Sequence, residues 1–184
     1  AGMAIAHRLQ EWQLVRDYAA VLTEPWFTRA RYTQARQGYA WAVEACTQLD
    51  IPIQAAPYLI HWGHACAQQN DYNEAQKYLR QVVDQAEQLF PSSLLADAKY
   101  HLARIAIEHS HYEFADDYLE TCLQVRTQLQ DEIGIAKANH LRAILLLRSG
   151  NYVQCSQLSQ TALAVQERMG AVLDMLESLR LLTE

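Results

Sequence analysis

The stretch LIHWGHACAQQNDYNEAQKYL, residues 59–79, contains two apolar-periodic segments separated by a short polar corner at Asn70-Asp71. Its tyrosine at position 72 belongs to a series spaced 40 residues apart. The series comprises Tyr32, Tyr72, Tyr112 and Tyr152. Three residues after each tyrosine stands a small side chain: Ala35, Ala75, Ala115 and Cys155. A fixed interval of this kind indicates an internal repeat.

Within one repeat the apolar residues follow helical spacing. From Tyr72 they fall at i, i+3, i+6, i+7, i+10, i+11, i+14 and i+17, which is one stripe of a 3.6-residue helix. A second apolar-periodic segment, near residues 54–69, 92–109 or 131–149, precedes each of the last three tyrosine helices. The corners between them carry turn-forming residues. Each repeat is therefore predicted to be a helical hairpin, and since no candidate strand appears, the fold class is all-α.

The motif in these hairpins resembles the tetratricopeptide repeat, in which small residues let two antiparallel helices cross closely. The best copy is Leu59-x2-Trp62-Gly63-x2-Cys66 followed by Ala75-x3-Leu79. The last copy departs from it, with Arg142 and Ser159 where large apolar residues are expected. The 40-residue period is similar to a subclass common in bacterial signalling and transcription-regulatory proteins. The resemblance covers residues 23–182 and implies a right-handed α-α superhelix, with the six residues beyond the usual 34 spent on longer helices and a longer joint.

The predicted organisation is a single domain over residues 1–184. A helix over Ala4–Leu22, a stop and restart at Thr23-Glu24-Pro25 and a long helix over Pro25–Leu49 form a degenerate first hairpin, residues 4–50. Three full repeats follow at 51–90, 91–130 and 131–170. The apolar segment 171–184 is expected to be a terminal helix.

Composition and motifs exclude several classes of protein. The 15 basic and 21 acidic residues give a net charge of −6, which does not favour nucleic acid or an anionic membrane. No apolar stretch reaches the ~20 residues that span a bilayer, and no phosphate-binding loop, dinucleotide fingerprint or nucleophile elbow is present. Four cysteines without C-x-x-C spacing are expected to fill the core. We expect a cytoplasmic protein without catalytic activity, cofactor or metal.

The candidate binding surface lies on the first helix of each hairpin, which lines the concave side in the family that the chain resembles. Because stacked helices lie about 8–10 Å apart, side chains at matched repeat positions would form a strip suited to a peptide or helix. The residues expected on this strip are Ile60, His61, His64, Gln68, Asp97, Tyr100, His101, Arg104, Glu108, Lys137, His140, Ile144 and Arg148. A plain solvated surface, or a metal site of His61, His64 and His101, is the alternative.

These expectations favour a module that binds a protein or peptide, as the sensing or scaffolding arm of a larger regulator. A domain that senses a small molecule would need a closed pocket in place of a groove. A homodimeric scaffold joined through Val172–Leu182 is a further alternative, and a metal-dependent enzyme is the least favoured.

Overall fold

The computed structural model describes residues 2–86 and 92–169, and within these ranges the chain is all-α. The helices are α1 (Gly2–Arg8), α2 (Trp12–Thr28), α3 (Tyr32–Gln48), α4 (Ala56–Gln68), α5 (Tyr72–Ala86), α6 (Ser93–Glu108), α7 (Tyr112–Gln128), α8 (Glu132–Arg148) and α9 (Tyr152–Met169). A 3₁₀ turn, Pro52–Ala55, precedes α4. The predicted fold class is confirmed, and no strand occurs in the described ranges.

Helices that follow one another in sequence pack as antiparallel pairs: α2 with α3, α4 with α5, α6 with α7 and α8 with α9. The chain divides into two compact units, Ala1–Leu89 with α1–α5 and Phe90–Glu184 with α6–α9. This arrangement is that of a helical hairpin array. The predicted repeat bounds stay a prediction, and the proposed terminal helix at 171–184, with its dimer surface, lies outside the described residues.

One turn geometry joins the helices wherever a joint is described. At the last joint, the Gly150 N–H donates to the Leu147 carbonyl at 3.1 Å and the Asn151 N–H donates to the Leu146 carbonyl at 2.8 Å. This pair of bonds is the Schellman motif, whose central residue has a positive φ. The same geometry recurs at Gln10, Ala30, Asp50, Asn70, Ser110, Gln130 and Gly150, at 20-residue intervals within each of the two described ranges.

Each of these joints has three residues, except that between α3 and α4, which runs over residues 49–55 and includes the 3₁₀ turn. The repeat of 40 therefore consists of two modules of 20, each with one of these turns. The expected longer joint is wrong at the α7–α8 boundary, where residues 129–131 suffice.

The first hairpin differs from its prediction. The break was expected at Thr23-Glu24-Pro25, but α2 runs through Pro25, and the breaks lie at Gln10 and Ala30. Proline removes one N–H and crowds the carbonyl four residues earlier, here that of Val21, whose residue is 74% exposed. Water can therefore satisfy that carbonyl. The actual turns were missed because Gln and Ala are not turn-forming residues.

Small residues bring the paired helices of the first unit close together, as predicted. A Cβ on Gly63 would lie 2.8 Å from the Leu79 side chain and 3.2 Å from the Ala75 carbonyl oxygen. All four cysteines are buried and free, which confirms their expected packing role. Burial raises the pKa of Cys66 to about 11, so its thiol stays protonated at neutral pH.

The repeat predicts core positions for five tyrosines, Tyr72, Tyr78, Tyr112, Tyr118 and Tyr152, and the prediction is confirmed for one of them. Tyr78 is buried, but Tyr72 and Tyr112 are half-buried, and Tyr152 is 68% exposed. Each repeat tyrosine is the first residue of its helix. The Tyr72 hydroxyl donates to the Asn70 side chain at 2.9 Å, across the turn. The 40-residue series therefore marks helix starts. Tyr118, the fifth residue, is half-buried.

Candidate binding surfaces

The predicted strip divides between the two units. Four of its residues lie on α4 in the first unit, and nine lie on α6 and α8 in the second. No helix in the described ranges has the length and hydropathy required to span a membrane.

On α4 the predicted residues are tied to neighbouring helices. The His64 ring stacks on Phe27 of α2 with centroids 4.5 Å apart, and the His61 ring stacks on Tyr39 of α3 at 5.6 Å. A ring nitrogen of His64 also shares a hydrogen bond with Gln68 at 3.1 Å. Ile60 is buried, with 4% of its surface exposed. These contacts make the imidazoles part of the packing between helices.

The metal-type ligands that converge among the described residues are Cys66, Asp71 and Glu74, a set that sequence reasoning missed. Arg36 lies against them, with its guanidinium 2.8 Å from Asp71 and 3.8 Å from Glu74. The guanidinium already supplies the positive charge that these carboxylates face. The raised pKa of Cys66 also disfavours the thiolate that a metal needs. This cluster fits an ion-paired joint between α3 and α5 better than a metal centre.

On α6 and α8 the 40-residue register brings matched positions into contact. Arg148 donates to both carboxylate oxygens of Glu108, at 3.2 and 3.4 Å. One turn earlier on each helix stand Arg104 and Ile144, both half-buried. Tyr100 and His101 pack edge to face with centroids 5.5 Å apart. The second unit therefore contains a surface on α6 and α8 formed by the predicted residues, which we call the α6/α8 face.

Two predicted residues contribute less to that face than expected. His140 is 7% exposed, so its ring lies mainly within the unit. Asp97 is engaged by Arg126 of α7, whose guanidinium lies 2.6 Å from the Asp97 carboxylate. The accessible part of the α6/α8 face consists mainly of Tyr100, His101, Arg104, Lys137 and Ile144, with the Glu108–Arg148 pair at one end.

Arg126 is a buried cation that the sequence analysis did not identify. It is 8% exposed and binds Asp131 as well as Asp97. Asp131 also accepts a hydrogen bond from the Gly134 N–H at 2.9 Å, capping α8. Burial lowers the pKa of Arg126, but the Cys122 sulfur and the carboxylates outweigh it and raise the pKa. The sequence feature that could have identified Arg126 is its position as a charged residue within the apolar stripe of Cys122, Val125 and Leu129.

A second surface in this unit is a groove between α7 and α9 with α8 as its floor. Its main cavity measures about 650 Å³ and is lined by Glu113 and Asp116 of α7, Arg142 and Leu146 of α8, and Leu158 of α9, among others. A second cavity of about 420 Å³ runs further along α7 and shares Arg142. Arg142 is bonded to Asp116 at 2.8 Å. We call the two cavities together the α7/α9 groove.

No predicted site residue lines the α7/α9 groove. Arg142 is the sequence feature that could have pointed to this groove, since it stands where the repeat motif has a large apolar residue. Ser159, the other departure, is fully buried, and its hydroxyl has no hydrogen-bond partner among the described residues.

The sequence was also compared with protein-family models and with characterised proteins, and neither comparison gave a match.

Proposed function

We propose that the protein is a non-catalytic module of the tetratricopeptide-repeat type that binds a protein or peptide through its α6/α8 face. The observation that supports this most directly is the contact between Glu108 and Arg148, which are 40 residues apart in sequence. Because that contact joins matched positions of α6 and α8, the other matched positions lie side by side on a surface formed before any partner binds. Preformed surfaces bind with a smaller loss of conformational entropy.

The chemistry of the face favours a partner with carboxylates. Arg104, Lys137 and Arg148 contribute three cations, while Glu108 and Asp97 contribute two carboxylates, both ion-paired within the unit. Arginine binds carboxylates through two parallel hydrogen bonds. Tyr100 and His101 add planar surfaces that suit the side chains or backbone of an extended peptide. In this proposal the module is the sensing or scaffolding arm of a bacterial signalling or transcription-regulatory protein.

The test uses peptides selected from a random phage-displayed library on the wild-type chain. The variant Tyr100→Ala/Arg104→Ala removes the aromatic and the cation of α6. We expect at least a tenfold loss of affinity for the selected peptides with unchanged helical circular dichroism, since central aromatic and arginine contacts each cost more than about 1 kcal/mol when truncated.

The matched control is Tyr152→Ala/Arg168→Ala, which makes the same two chemical changes on exposed residues of α9. Its affinity should equal that of the wild type. Undiminished binding by the α6 variant, or an equal loss in the control, contradicts the assignment of binding to the α6/α8 face.

A further inference from the structure

The α7/α9 groove has walls of different charge. Along α7 it is lined by Glu113, Asp116 and Glu120, which follow one another at about one helical turn. The facing helix, α9, has no charged residue from Tyr152 to Val165 and lines the groove with Gln154, Gln157 and Thr161. The cation that lines both cavities is Arg142, which pairs with Asp116. The acidic wall therefore carries more negative charge than the groove itself compensates.

The floor between these walls is apolar. It contains Leu145 and Leu146 of α8 and Leu158 of α9, and the last two are half-buried. The groove follows α7 from Tyr112 to Gln128, and 17 helical residues span about 25 Å. The leucine floor and the α9 wall belong to the main cavity, and the second cavity continues the groove along α7 past Leu123. An apolar floor between polar walls is the arrangement that receives an amphipathic helix through anchors at i, i+3, i+4 and i+7.

We propose that the α7/α9 groove binds an amphipathic α-helix of a partner protein, with apolar residues on the leucine floor and Lys or Arg residues along the α7 wall. Cations on one flank meet Glu113, Asp116 and Glu120, while the opposite flank meets the neutral side chains of α9. Charge complementarity of this kind fixes the orientation of the partner and increases the association rate. An acidic helix would face three carboxylates and is disfavoured.

This surface is distinct from the α6/α8 face. At 100° per residue, Arg142 and Leu146 lie roughly 160° around α8 from Ile144 and Arg148. The partner chemistry is also opposite, because the α6/α8 face favours carboxylates and the groove favours cations. Loss of one binding activity therefore does not entail loss of the other.

The probe is a fluorescein-labelled 18-residue peptide of Leu and Lys, patterned as an amphipathic helix. Two controls are a scrambled peptide of the same composition and a Leu/Glu peptide with the same pattern. Fluorescence anisotropy at physiological salt should show saturable 1:1 binding of the Leu/Lys helix to the full chain. Equal binding of the scrambled peptide, or no binding of the Leu/Lys helix, overturns the proposal.

Charge removal then locates the site. The variant Glu113→Gln/Asp116→Asn/Glu120→Gln should weaken binding of the Leu/Lys helix about fivefold or more, because it removes three ion pairs at the rim of the groove. The matched control, Asp17→Asn/Glu24→Gln/Asp84→Asn, removes three exposed carboxylates from the first unit. Its binding should stay within about twofold of the wild type. An equal loss in both variants would show attraction to net charge alone and overturns the proposal.

A photo-crosslinker identifies the occupant directly. Gln157 is exposed and lines the groove, so p-benzoylphenylalanine at this position reports what lies there. The expected adduct joins residue 157 to the Leu/Lys peptide. Two other adducts would overturn the proposal if added peptide did not compete them away. One joins residue 157 to a second copy of the chain, and the other joins it to residues 170–184 of the same chain; either would identify that segment as the occupant of the groove.

Discussion

Replacing Gly134 by alanine tests whether the Arg126 cluster is packed as the structure shows. A Cβ on Gly134 would lie 2.6 Å from Cδ of Arg126 and closer still to its guanidinium and to the Asp131 carboxylate. Non-bonded carbon atoms do not approach within 3 Å, so the guanidinium has to move. That movement disrupts its ion pairs with Asp97 and Asp131.

Two opposing effects set the magnitude. Alanine stabilises a helix over glycine by about 1 kcal/mol. Breaking a buried ion pair costs about 3–5 kcal/mol, but the Asp97 and Asp131 side chains are 41% and 36% exposed, so solvent screening reduces the cost to about 2–3 kcal/mol. The free energy of unfolding should therefore fall by about 1–2 kcal/mol in Gly134→Ala.

The measurement is urea unfolding followed by far-UV circular dichroism, in the wild-type and the Arg126→Ala backgrounds. Without the Arg126 side chain the obstacle that remains is the Asp131 carboxylate, which no guanidinium then holds in place. Gly134→Ala should therefore destabilise the Arg126→Ala protein by about 1 kcal/mol less than it destabilises the wild type. An equal destabilisation in both would show that the guanidinium is not the obstacle, and the reasoning would be refuted.

Two further predictions concern the turns and the buried titratable groups. Gly150 has φ +84° and a Cβ there would meet nothing within 4 Å, so Gly150→Ala should lower the free energy of unfolding by about 1 kcal/mol through backbone conformation alone. Ala30 has φ 50°, so Ala30→Gly should raise the free energy of unfolding by a similar amount. Thermal denaturation measures both changes, and changes of the same sign would contradict this account of the turns. Burial raises the pKa of Cys66 to about 11. It also raises the pKa of Tyr39 to about 12, against the lowering effect of the hydrogen bond that the Tyr39 hydroxyl donates to Thr23. The unfolded chain loses these protons first, so stability should fall as the pH rises from about 9 towards 12, by up to about 1.4 kcal/mol per pH unit for each group. In Cys66→Ala the free energy of unfolding should decline less steeply with pH between pH 9 and 11. An unchanged slope of that free energy against pH would contradict the contribution of the buried thiol.

The fold followed from the sequence because apolar spacing and small contact residues are local signals. The stripe from Tyr72 and the glycine at position 63 indicate a hairpin from residues that are near one another in sequence. The turns at Gln10 and Ala30 were not predictable in this way. Their positive φ is imposed by the packing of the flanking helices, against the preference of the residue types.

The candidate site was less predictable because its residues depend on contacts distant in sequence. Asp97 matches the repeat pattern, but Arg126, 29 residues away, binds it. His140 also matches the pattern and is buried. Sequence periodicity gives the direction in which a side chain leaves its helix, whereas exposure depends on which neighbour covers it. The α7/α9 groove exists only between packed helices and has no sequence signature beyond Arg142.

The two surfaces of the second unit share α8, and this determines which substitutions can separate them. Arg142 lines the groove and Arg148 lies on the α6/α8 face, yet both are on the same helix. Because α8 packs against α6, α7 and α9, a change on α8 that shifts the helix alters both surfaces at once. Arg104 on α6 and Glu113 on α7 each belong to one surface alone. Loss of acidic-peptide binding on replacing Arg104, together with loss of basic-helix binding on replacing Glu113 and its neighbours, would therefore establish two independent sites, whereas α8 variants cannot make that distinction.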